Sequence, residues 1–382
     1  MPVNQASLYI HIPFCASLCD YCDFYSVIYK ENDYIDLFLQ ALVNDIKYQI
    51  EFFKIKEIPT VYIGGGTPSV LGSKLKILLD VLNDLPDFSP VEFSVEANPE
   101  SITEEFLLLC RESNVNRISL GVQTFNELSR HAVSRTGNIV NIKKNITLAS
   151  HYFSDSLSVD LITGLPYQDV KSVLEDIKII LDFNPAHVSL YSLIPEINTP
   201  LNKKITSKKI ILPDEDTADT LWLSGRDALL KAGLLHYEVS NFAFKDKFCV
   251  HNIGYWQMKN WIGAGPSASG TLESLPNTCT NDKSYCAKRF TYSSDVDVYI
   301  NNPSIHVADY EELDKCKYLR ECLLMGFRFI NGPDTISFKK CFGVTLEECI
   351  PDTLEYWKNK DRMLYLNRFL TDAFLELDKI VD

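Results

Sequence analysis

The sequence has 382 residues, of which 46% are hydrophobic, and a formal net charge of −14. This acidic balance argues against nucleic-acid binding, which generally needs a basic face. The chain has no run of roughly 18 consecutive apolar residues for a membrane-spanning helix and no signal-peptide pattern at its start, so we expect a cytoplasmic protein.

Short apolar strands alternate with helical segments from the start of the chain. We predict strands over 7–12, 60–66, 91–97, 117–123, 156–166 and 186–194, and a first helix over 34–53. The strands end near Gly65, Glu96, Gln123, Asp160 and Tyr191, about 30 residues apart, which is the length of one βαβ unit. This alternation predicts an α/β protein whose parallel sheet forms a partial (β/α) barrel of the TIM-like type, with ligands at the carboxyl ends of the strands.

The pattern changes beyond the last of these strands. Residues 201–212, "LNKKITSKKIIL", are predicted to form a basic, solvated loop, and a helix follows over 214–232. From residue 307 onward, periodic segments indicate mostly helices. We therefore predict a barrel domain over residues 1–300 and a small, mostly helical C-terminal domain over residues 307–382.

Three cysteines lie within one short loop after the first predicted strand. The stretch "HIPFCASLCDYCDF" (11–24) contains Cys15, Cys19 and Cys22, and the chain has eleven cysteines in all, an odd number that favours free thiols or metal ligands over a disulfide framework. Structural zinc normally takes four ligands, often in paired C-x2-C arrangements. Three thiolates can instead hold a four-iron cluster and leave one iron open. The alternatives are three unlinked buried thiols or a zinc knuckle completed by His11.

The stretch "YIHIPFCASLCDYCDF" resembles the C-x3-C-x2-C loop of radical S-adenosylmethionine (SAM) proteins. It is similar to the branch that contains the oxygen-independent coproporphyrinogen III oxidases and the heme chaperones of the HemW type, and the resemblance covers roughly residues 7 to 330. It implies a four-iron, four-sulfur (4Fe-4S) cluster on the three cysteines. It also implies SAM at the open iron, where the reduced cluster can cleave SAM to a 5′-deoxyadenosyl radical.

The same resemblance implies a set of SAM-binding residues. In "GGGTPS" (64–69) it places Gly65, Gly66 and Thr67 against the methionine part of SAM, although a tight strand-to-helix turn would explain the glycines equally. Further residues are implied around SAM and the cluster, although packing within the protein is the alternative for each: Glu96, Gln123, Arg135, Asp160, Tyr9 and Tyr21. Arg135 could pair with the SAM carboxylate. Relatives commonly have a histidine two residues after this arginine, where this chain has Gly137.

Two further features separate the oxidases from the chaperones. The oxidases have a cysteine two residues after the third cluster cysteine, and here that residue is Phe24. Near residues 236–270, the motif formed by His251, Tyr255 and Trp256 resembles the HNxxYW motif of the chaperones, which is implicated in heme binding. Imidazole and thiolate both ligate heme iron, so His251 or the nearby Cys249 could be the axial ligand. The alternative is a packing motif behind the SAM pocket.

We therefore expect a cytoplasmic heme chaperone that binds a 4Fe-4S cluster, SAM and heme. It would deliver heme to acceptor proteins, with respiratory proteins at the membrane among the candidates. The sequence leaves open whether the chain forms a homodimer. The first alternative is a coproporphyrinogen III oxidase that removes hydrogen from a propionate and releases carbon dioxide. The second is a radical SAM enzyme with an unrelated substrate.

Overall fold

The computed structural model describes residues 3–29, 31–273, 286–303 and 308–381. Residue 307, where the C-terminal domain is predicted to begin, lies outside these ranges. The strands are β1 (Ser7–Ile12), β2 (Phe14–Cys15), β3 (Val27–Ile28), β4 (Thr60–Gly65), β5 (Glu92–Ala97), β6 (Arg117–Gln123), β7 (Leu157–Thr163), β8 (His187–Ser192), β9 (Leu235–His236), β10 (Asn241–Ala243), β11 (Trp261–Ala264), β12 (Ser269–Glu273), β13 (Ala287–Thr291) and β14 (Asp309–Leu313).

Helices connect most of these strands and dominate the C-terminal part of the chain. They are α1 (Asn32–Phe53), α2 (Leu75–Asn83), α3 (Glu104–Glu112), α4 (Glu127–Ala132), α5 (Ile139–Tyr152), α6 (Val170–Leu181), α7 (Pro200–Thr206), α8 (Glu215–Lys231), α9 (Val250–Trp256), α10 (Val296–Asn301), α11 (Lys315–Gly326), α12 (Thr335–Phe342), α13 (Leu346–Cys349), α14 (Pro351–Trp357) and α15 (Leu366–Val381), with a 3₁₀ segment over Pro68–Lys74. No helix within the described ranges is both long enough and apolar enough to cross a bilayer.

The centre of the molecule is a parallel sheet in the order β11-β1-β4-β5-β6-β7-β8. Antiparallel strands extend it at both edges, β12 to β14 beyond β11 and β10 and β9 beyond β8. Residues at the carboxyl ends of β4 to β8 line one cavity together with the cysteine loop, so the sheet curves around a common interior. The predicted α/β fold with a partial barrel is confirmed.

Alternation along the strands gives the sheet two different faces. The outer face is apolar and packs against the helices through side chains such as Leu8, Ile10, Val61, Ile63, Phe93, Val95, Ile118 and Leu120. The inner face is mainly polar, with Tyr9, Tyr62, Ser94, Glu96, Ser119, Asp160 and Ser189. Because strand side chains alternate with period two, the strand pattern that buries a core also lines the barrel with hydrogen-bonding groups.

Local sequence signals explain where several helices begin. The side chain of Thr103 accepts a hydrogen bond from the Phe106 N–H and so caps the start of α3, a position that threonine favours. Helix α7 overturns one expectation, because 201–206 was predicted to be loop. Pro200 stands in its first turn and Thr199 caps it, and these two signals outweigh the lysine-rich composition.

The C-terminal helices α11 to α15 enclose a second hydrophobic core, which includes Leu323, Phe342, Trp357 and Phe369. Strand β14, which precedes them, joins the edge of the large sheet rather than the helical part. Nine of the described cysteines are free, among them the three of the predicted cluster, which fits the expectation of free thiols rather than a disulfide framework. Cys286 is the exception among the described cysteines, because it is disulfide-bonded.

Candidate cofactor site

A cavity of about 350 Å³ opens at the carboxyl ends of the parallel strands. Most of the residues that the sequence predicts for the cluster and SAM line it: Cys15, Cys19, Tyr21, Cys22, Gly65, Gly66, Thr67, Glu96, Gln123, Arg135 and Asp160. They come from the cysteine loop, from the ends of β4 to β7 and from the segment after α4. The fold therefore gathers residues that are spread over about 150 positions of the sequence, as expected for this end of a parallel barrel.

The three cluster cysteines face this cavity from one loop. Cys15 ends β2, and its Sγ lies 3.4 Å from the Thr67 hydroxyl. The Arg135 guanidinium donates to Cys19 Sγ at 3.4 Å. Burial raises the pKa of the Cys15 thiol and raises the pKa of Cys22 to about 11, so an incoming metal has to displace these protons.

A zinc knuckle completed by His11 gains no support from the geometry. His11 Nδ1 lies 2.9 Å from the Tyr9 hydroxyl, and its Nε2 lies 2.9 Å from the Tyr25 carbonyl oxygen. Both ring nitrogens are therefore already hydrogen-bonded. In the described part of the chain, no three His, Cys, Asp or Glu side chains are placed so that together they could hold one metal ion. Three thiols that share one cavity with a neighbouring arginine form a donor set suited to an iron–sulfur cluster.

The glycine turn after β4 lies directly against the cysteine loop. Gly65 has a φ of +116°, which a residue with a side chain adopts only under strain. A Cβ on Gly66 would lie 2.9 Å from the Phe14 carbonyl oxygen and 3.0 Å from Cys15 Sγ. The turn therefore needs glycine so that the two loops can approach each other, and this close approach fixes the position of Cys15.

We expect Gly66→Ala to displace the cysteine loop. The substitution should cost about 1–3 kcal/mol of stability, because the added methyl group overlaps a backbone atom, and it should lower the iron content after reconstitution. The control is Gly254→Ala in α9, where an added Cβ has no neighbour within 4 Å. Equal iron and sulfide contents in the two variants would contradict this role for Gly66.

Glu96 is held in place by two hydrogen bonds at the bottom of the cavity. The Tyr62 hydroxyl donates to Glu96 Oε1 at 2.7 Å, and the Gly65 N–H donates to Oε2 at 3.2 Å. Burial raises the pKa of Glu96 to about 7. A bound ammonium group would favour the carboxylate form, so the site is suited to a cationic amine.

Three further polar side chains line the cavity, and two of them, Gln123 and Arg135, have a buried atom without a partner among the described residues. Gln123 has a φ of +71°, and its buried Oε1 has no partner within the described residues. Arg135 donates to the Gly121 carbonyl oxygen, but its buried Nε lacks a partner there too. Asp160 accepts from the Ser119 hydroxyl at 3.2 Å, and burial raises its pKa. Buried polar atoms normally have partners, so these atoms point to a polar ligand such as SAM.

Tyr9 lies deeper than predicted. It is not among the residues that line the described cavity. Its ring stacks against Tyr62 with centroids 6.4 Å apart, and its hydroxyl bonds to His11. In this position Tyr9 supports Tyr62 and the cysteine loop from below.

The predicted heme motif lies at the opposite end of the barrel. His251 is 1% exposed, with Nδ1 2.7 Å from the Thr60 hydroxyl and Nε2 2.8 Å from the Tyr255 hydroxyl. Its ring also stacks on Tyr62, with centroids 5.2 Å apart. Thr60 is the first residue of β4, so α9 closes the amino end of the barrel. Trp256 is half-buried beneath the Arg328 guanidinium, 5.6 Å from its ring centroid.

Glu92, the first residue of β5, anchors the start of α9. Its carboxylate accepts from the backbone N–H groups of Val250 and His251 at 2.8 and 3.1 Å, and from the Cys249 thiol at 3.2 Å. An acidic side chain at a helix N-terminus is stabilising. Neither His251 nor Cys249 offers a free ligand atom in this arrangement, which fits the packing alternative for the motif.

The sequence interpretation missed several residues that line the cavity or support it. Tyr62 donates a hydrogen bond to Glu96. It could have been predicted from the sequence, because it lies on the same strand face as the first glycine of the turn. Leu18, Phe24, Tyr191 and Ile194 surround the opening, and no motif in the sequence marks them as a group.

Comparison with known proteins is consistent with this geometry. Residues 9–180 match the model of the Radical SAM superfamily. The chain is 33% identical over 377 residues to the "Heme chaperone HemW" of Lactococcus lactis, covering 97% of this chain and 94% of that protein. It is 37% identical over 268 residues to the "Heme chaperone HemW" of Escherichia coli, covering 70% of each.

A solved structure has the same fold. Coproporphyrinogen III oxidase (HemN) from Escherichia coli, described as a radical SAM enzyme, superposes with a TM-score of 0.78 over 98% of this chain and 91% of that chain, at 19% identity. Radical SAM proteins use a 4Fe-4S cluster and SAM, and membership of the superfamily implies both for this chain. The chain belongs to the HemW family of radical SAM proteins.

Proposed function

We propose that this protein is a heme chaperone that binds a 4Fe-4S cluster, SAM and heme and transfers heme to acceptor proteins. The observation that carries the proposal is the cavity at the carboxyl ends of the strands, in which the three cysteines meet the predicted SAM residues. Curated relatives named heme chaperones match the chain along most of its length, which supports the heme function.

The cysteine loop supplies the cluster ligands in this proposal. Cys15, Cys19 and Cys22 would hold the cluster, which when bound and reduced would supply an open coordination position for SAM and a single electron. Glu96, held by Tyr62, binds the SAM ammonium group, and Arg135 binds its carboxylate. Gln123 and Asp160 satisfy polar groups elsewhere in the ligand, and the Gly65–Thr67 turn lets it approach the backbone.

Heme transfer sets the expected partners. We propose a cytoplasmic protein that meets heme-requiring acceptors, with respiratory proteins at the membrane as the first to test, and a homodimer as the state to test by sedimentation. Phe24 stands where the oxidases have a further cysteine, which favours transfer over decarboxylation of a porphyrinogen.

The test uses one anaerobically reconstituted sample for two assays. We expect hemin to produce a saturable optical change at one heme per chain. We expect coproporphyrinogen III to release no carbon dioxide even when SAM, a reductant for the cluster and an electron acceptor are supplied. Carbon dioxide release without saturable hemin binding would overturn the chaperone function in favour of the oxidase. A sample that shows neither would point to a radical SAM enzyme with another substrate.

We expect Tyr62→Phe to weaken SAM binding without preventing cluster assembly. Loss of the hydroxyl removes the bond that orients Glu96, worth about 1 kcal/mol, or roughly fivefold in Kd. Tyr318→Phe is a matched control, because the Tyr318 hydroxyl also donates to a glutamate, Glu273, at 2.7 Å but lies outside the cavity. Isothermal titration with SAM measures the difference, and equal Kd values for the two variants would contradict the role of Tyr62.

A further inference from the structure

We infer that heme docks across the mouth of the cofactor cavity, and not on α9. The docking surface is an apolar rim formed by Leu18, Phe24, Tyr191 and Ile194. This inference rests on the proposed heme function and adds the place of binding.

The apolar rim is exposed although it surrounds a concave opening. Leu18 and Phe24 are 45% and 68% exposed, and they extend from the cysteine loop. Tyr191 and Ile194 are 41% and 69% exposed, and they come from the end of β8 and the segment that follows. Apolar side chains gathered around a cavity mark a binding surface more strongly than scattered ones do. Two of the four rim residues, Phe24 and Tyr191, are aromatic and offer rings that a porphyrin can contact.

A basic segment adjoins this rim in an otherwise acidic chain. Helix α7 and the residues after it contain Lys203, Lys204, Lys208 and Lys209, of which all but Lys204 are exposed. The segment touches the cysteine loop directly, because the Leu201 N–H donates to the Asp20 carbonyl oxygen at 2.9 Å and Lys204 pairs with the Asp20 carboxylate.

Charge and shape together identify the occupant of this surface. Heme combines a flat apolar face with two propionate carboxylates, and it therefore matches an apolar rim beside a row of ammonium groups. An uncharged apolar ligand would not use the lysines, and a small anion would not use the rim.

The alternative site on α9 is closed in this structure. Both nitrogens of His251 are hydrogen-bonded, and the Cys249 thiol donates to Glu92. Binding iron there would break these contacts and separate α9 from β4 and β5. Breaking buried hydrogen bonds without replacing them is costly, whereas the rim is open without any rearrangement.

The first test titrates hemin into reconstituted Ile194→Asp and Phe24→Asp variants. We expect roughly tenfold weaker binding for each, because a carboxylate is placed against the porphyrin face. Ile336→Asp is the control, since Ile336 is 80% exposed on α12, away from the cavity. The pair Lys203→Glu and Lys208→Glu should weaken binding too, and the pair Lys171→Glu and Lys178→Glu on the exposed face of α6 should not.

The second test reads position rather than affinity. At a hemin concentration of about three times the Kd of the unmodified protein, heme over the mouth should trap SAM beneath it and slow the release of prebound radiolabelled SAM several-fold. Because Ile194→Asp is expected to bind hemin roughly tenfold more weakly, it should show little of this effect at the same concentration. Iron content and circular dichroism confirm that each variant is folded and loaded.

The outcomes separate the two proposals. If the unmodified protein shows no saturable hemin binding, the proposed function fails and the rim has no heme to bind. If hemin binds normally to both rim variants and leaves SAM release unchanged, the proposed heme transfer stands, but heme does not dock on the apolar rim. Weaker hemin binding in the rim variants, together with slower SAM release from the unmodified protein, supports docking of heme on the apolar rim.

Discussion

Replacing Cys19 with alanine is expected to abolish assembly of the 4Fe-4S cluster. In the proposed cluster each of the three cysteines would hold one iron, and the described residues around the cavity offer no other thiol to replace it. Arg135 would also lose the sulfur to which it donates, which leaves a buried guanidinium less well paired. Iron and sulfide analysis after anaerobic reconstitution, and electron paramagnetic resonance after reduction, measure the loss.

The control for this prediction is Cys316→Ala. Cys316 is exposed on α11 in the C-terminal part of the chain, so its removal should leave the iron content and the resonance signal unchanged. A Cys19→Ala protein that still carries a full cluster would contradict the ligand assignment. A protein that instead binds one zinc per chain before and after the change would contradict the cluster itself.

Much of the parallel sheet could be predicted because its strands bury one apolar face. The predicted strands over 7–12 and 117–123 coincide with β1 and β6, and the other four differ from the structure by at most three residues at either end. Strong alternation fixes such strands locally. Strand β14 was not predicted, since "DYEEL" at the sheet edge is mostly exposed and has no apolar alternation.

The cavity residues could be predicted for a different reason, namely their position at the ends of parallel strands. Glu96 and Asp160 lie on the inner face of predicted strands, and the parallel topology brings such positions together independently of the loop sequences. Tyr62 could have been found by the same argument, because it lies two residues before Gly64 and therefore on the same strand face.

The position of α9 could not be read from local sequence. His251 and Thr60 are 191 residues apart, and only the packing of α9 against the curved sheet brings them within 2.7 Å. The motif contains imidazole, thiol and aromatic groups that suit heme, but these groups serve equally well as partners in a buried polar network. Chemical type alone does not distinguish a ligand from a packing residue, whereas the two hydrogen-bonded ring nitrogens of His251 favour packing.

This interpretation of α9 predicts a large loss of stability for His251→Ala. The substitution removes the buried partner of the Tyr255 hydroxyl, leaves the Thr60 hydroxyl with Ser7 alone and opens a cavity against Tyr62, which should cost about 3 kcal/mol of unfolding free energy. Urea unfolding of the cluster-free protein at pH 7.5 measures it. His131→Ala is the control, because His131 is exposed on α4 and should change stability little.

The stability difference should also depend on pH in one direction. Burial lowers the pKa of His251 to about 3, whereas an unfolded histidine titrates near its ordinary value of 6.5. Between these values the unfolded chain binds a proton that the native protein does not bind, so the contribution of His251 is complete above about pH 6.5 and declines as the pH falls. At pH 5.5 the gap between the unmodified protein and His251→Ala should therefore be smaller by about 1.4 kcal/mol than at pH 7.5. If this difference in unfolding free energy stays constant or widens on acidification, the His251 imidazole is not buried in its neutral form. The interpretation that α9 closes the amino end of the barrel would then be wrong.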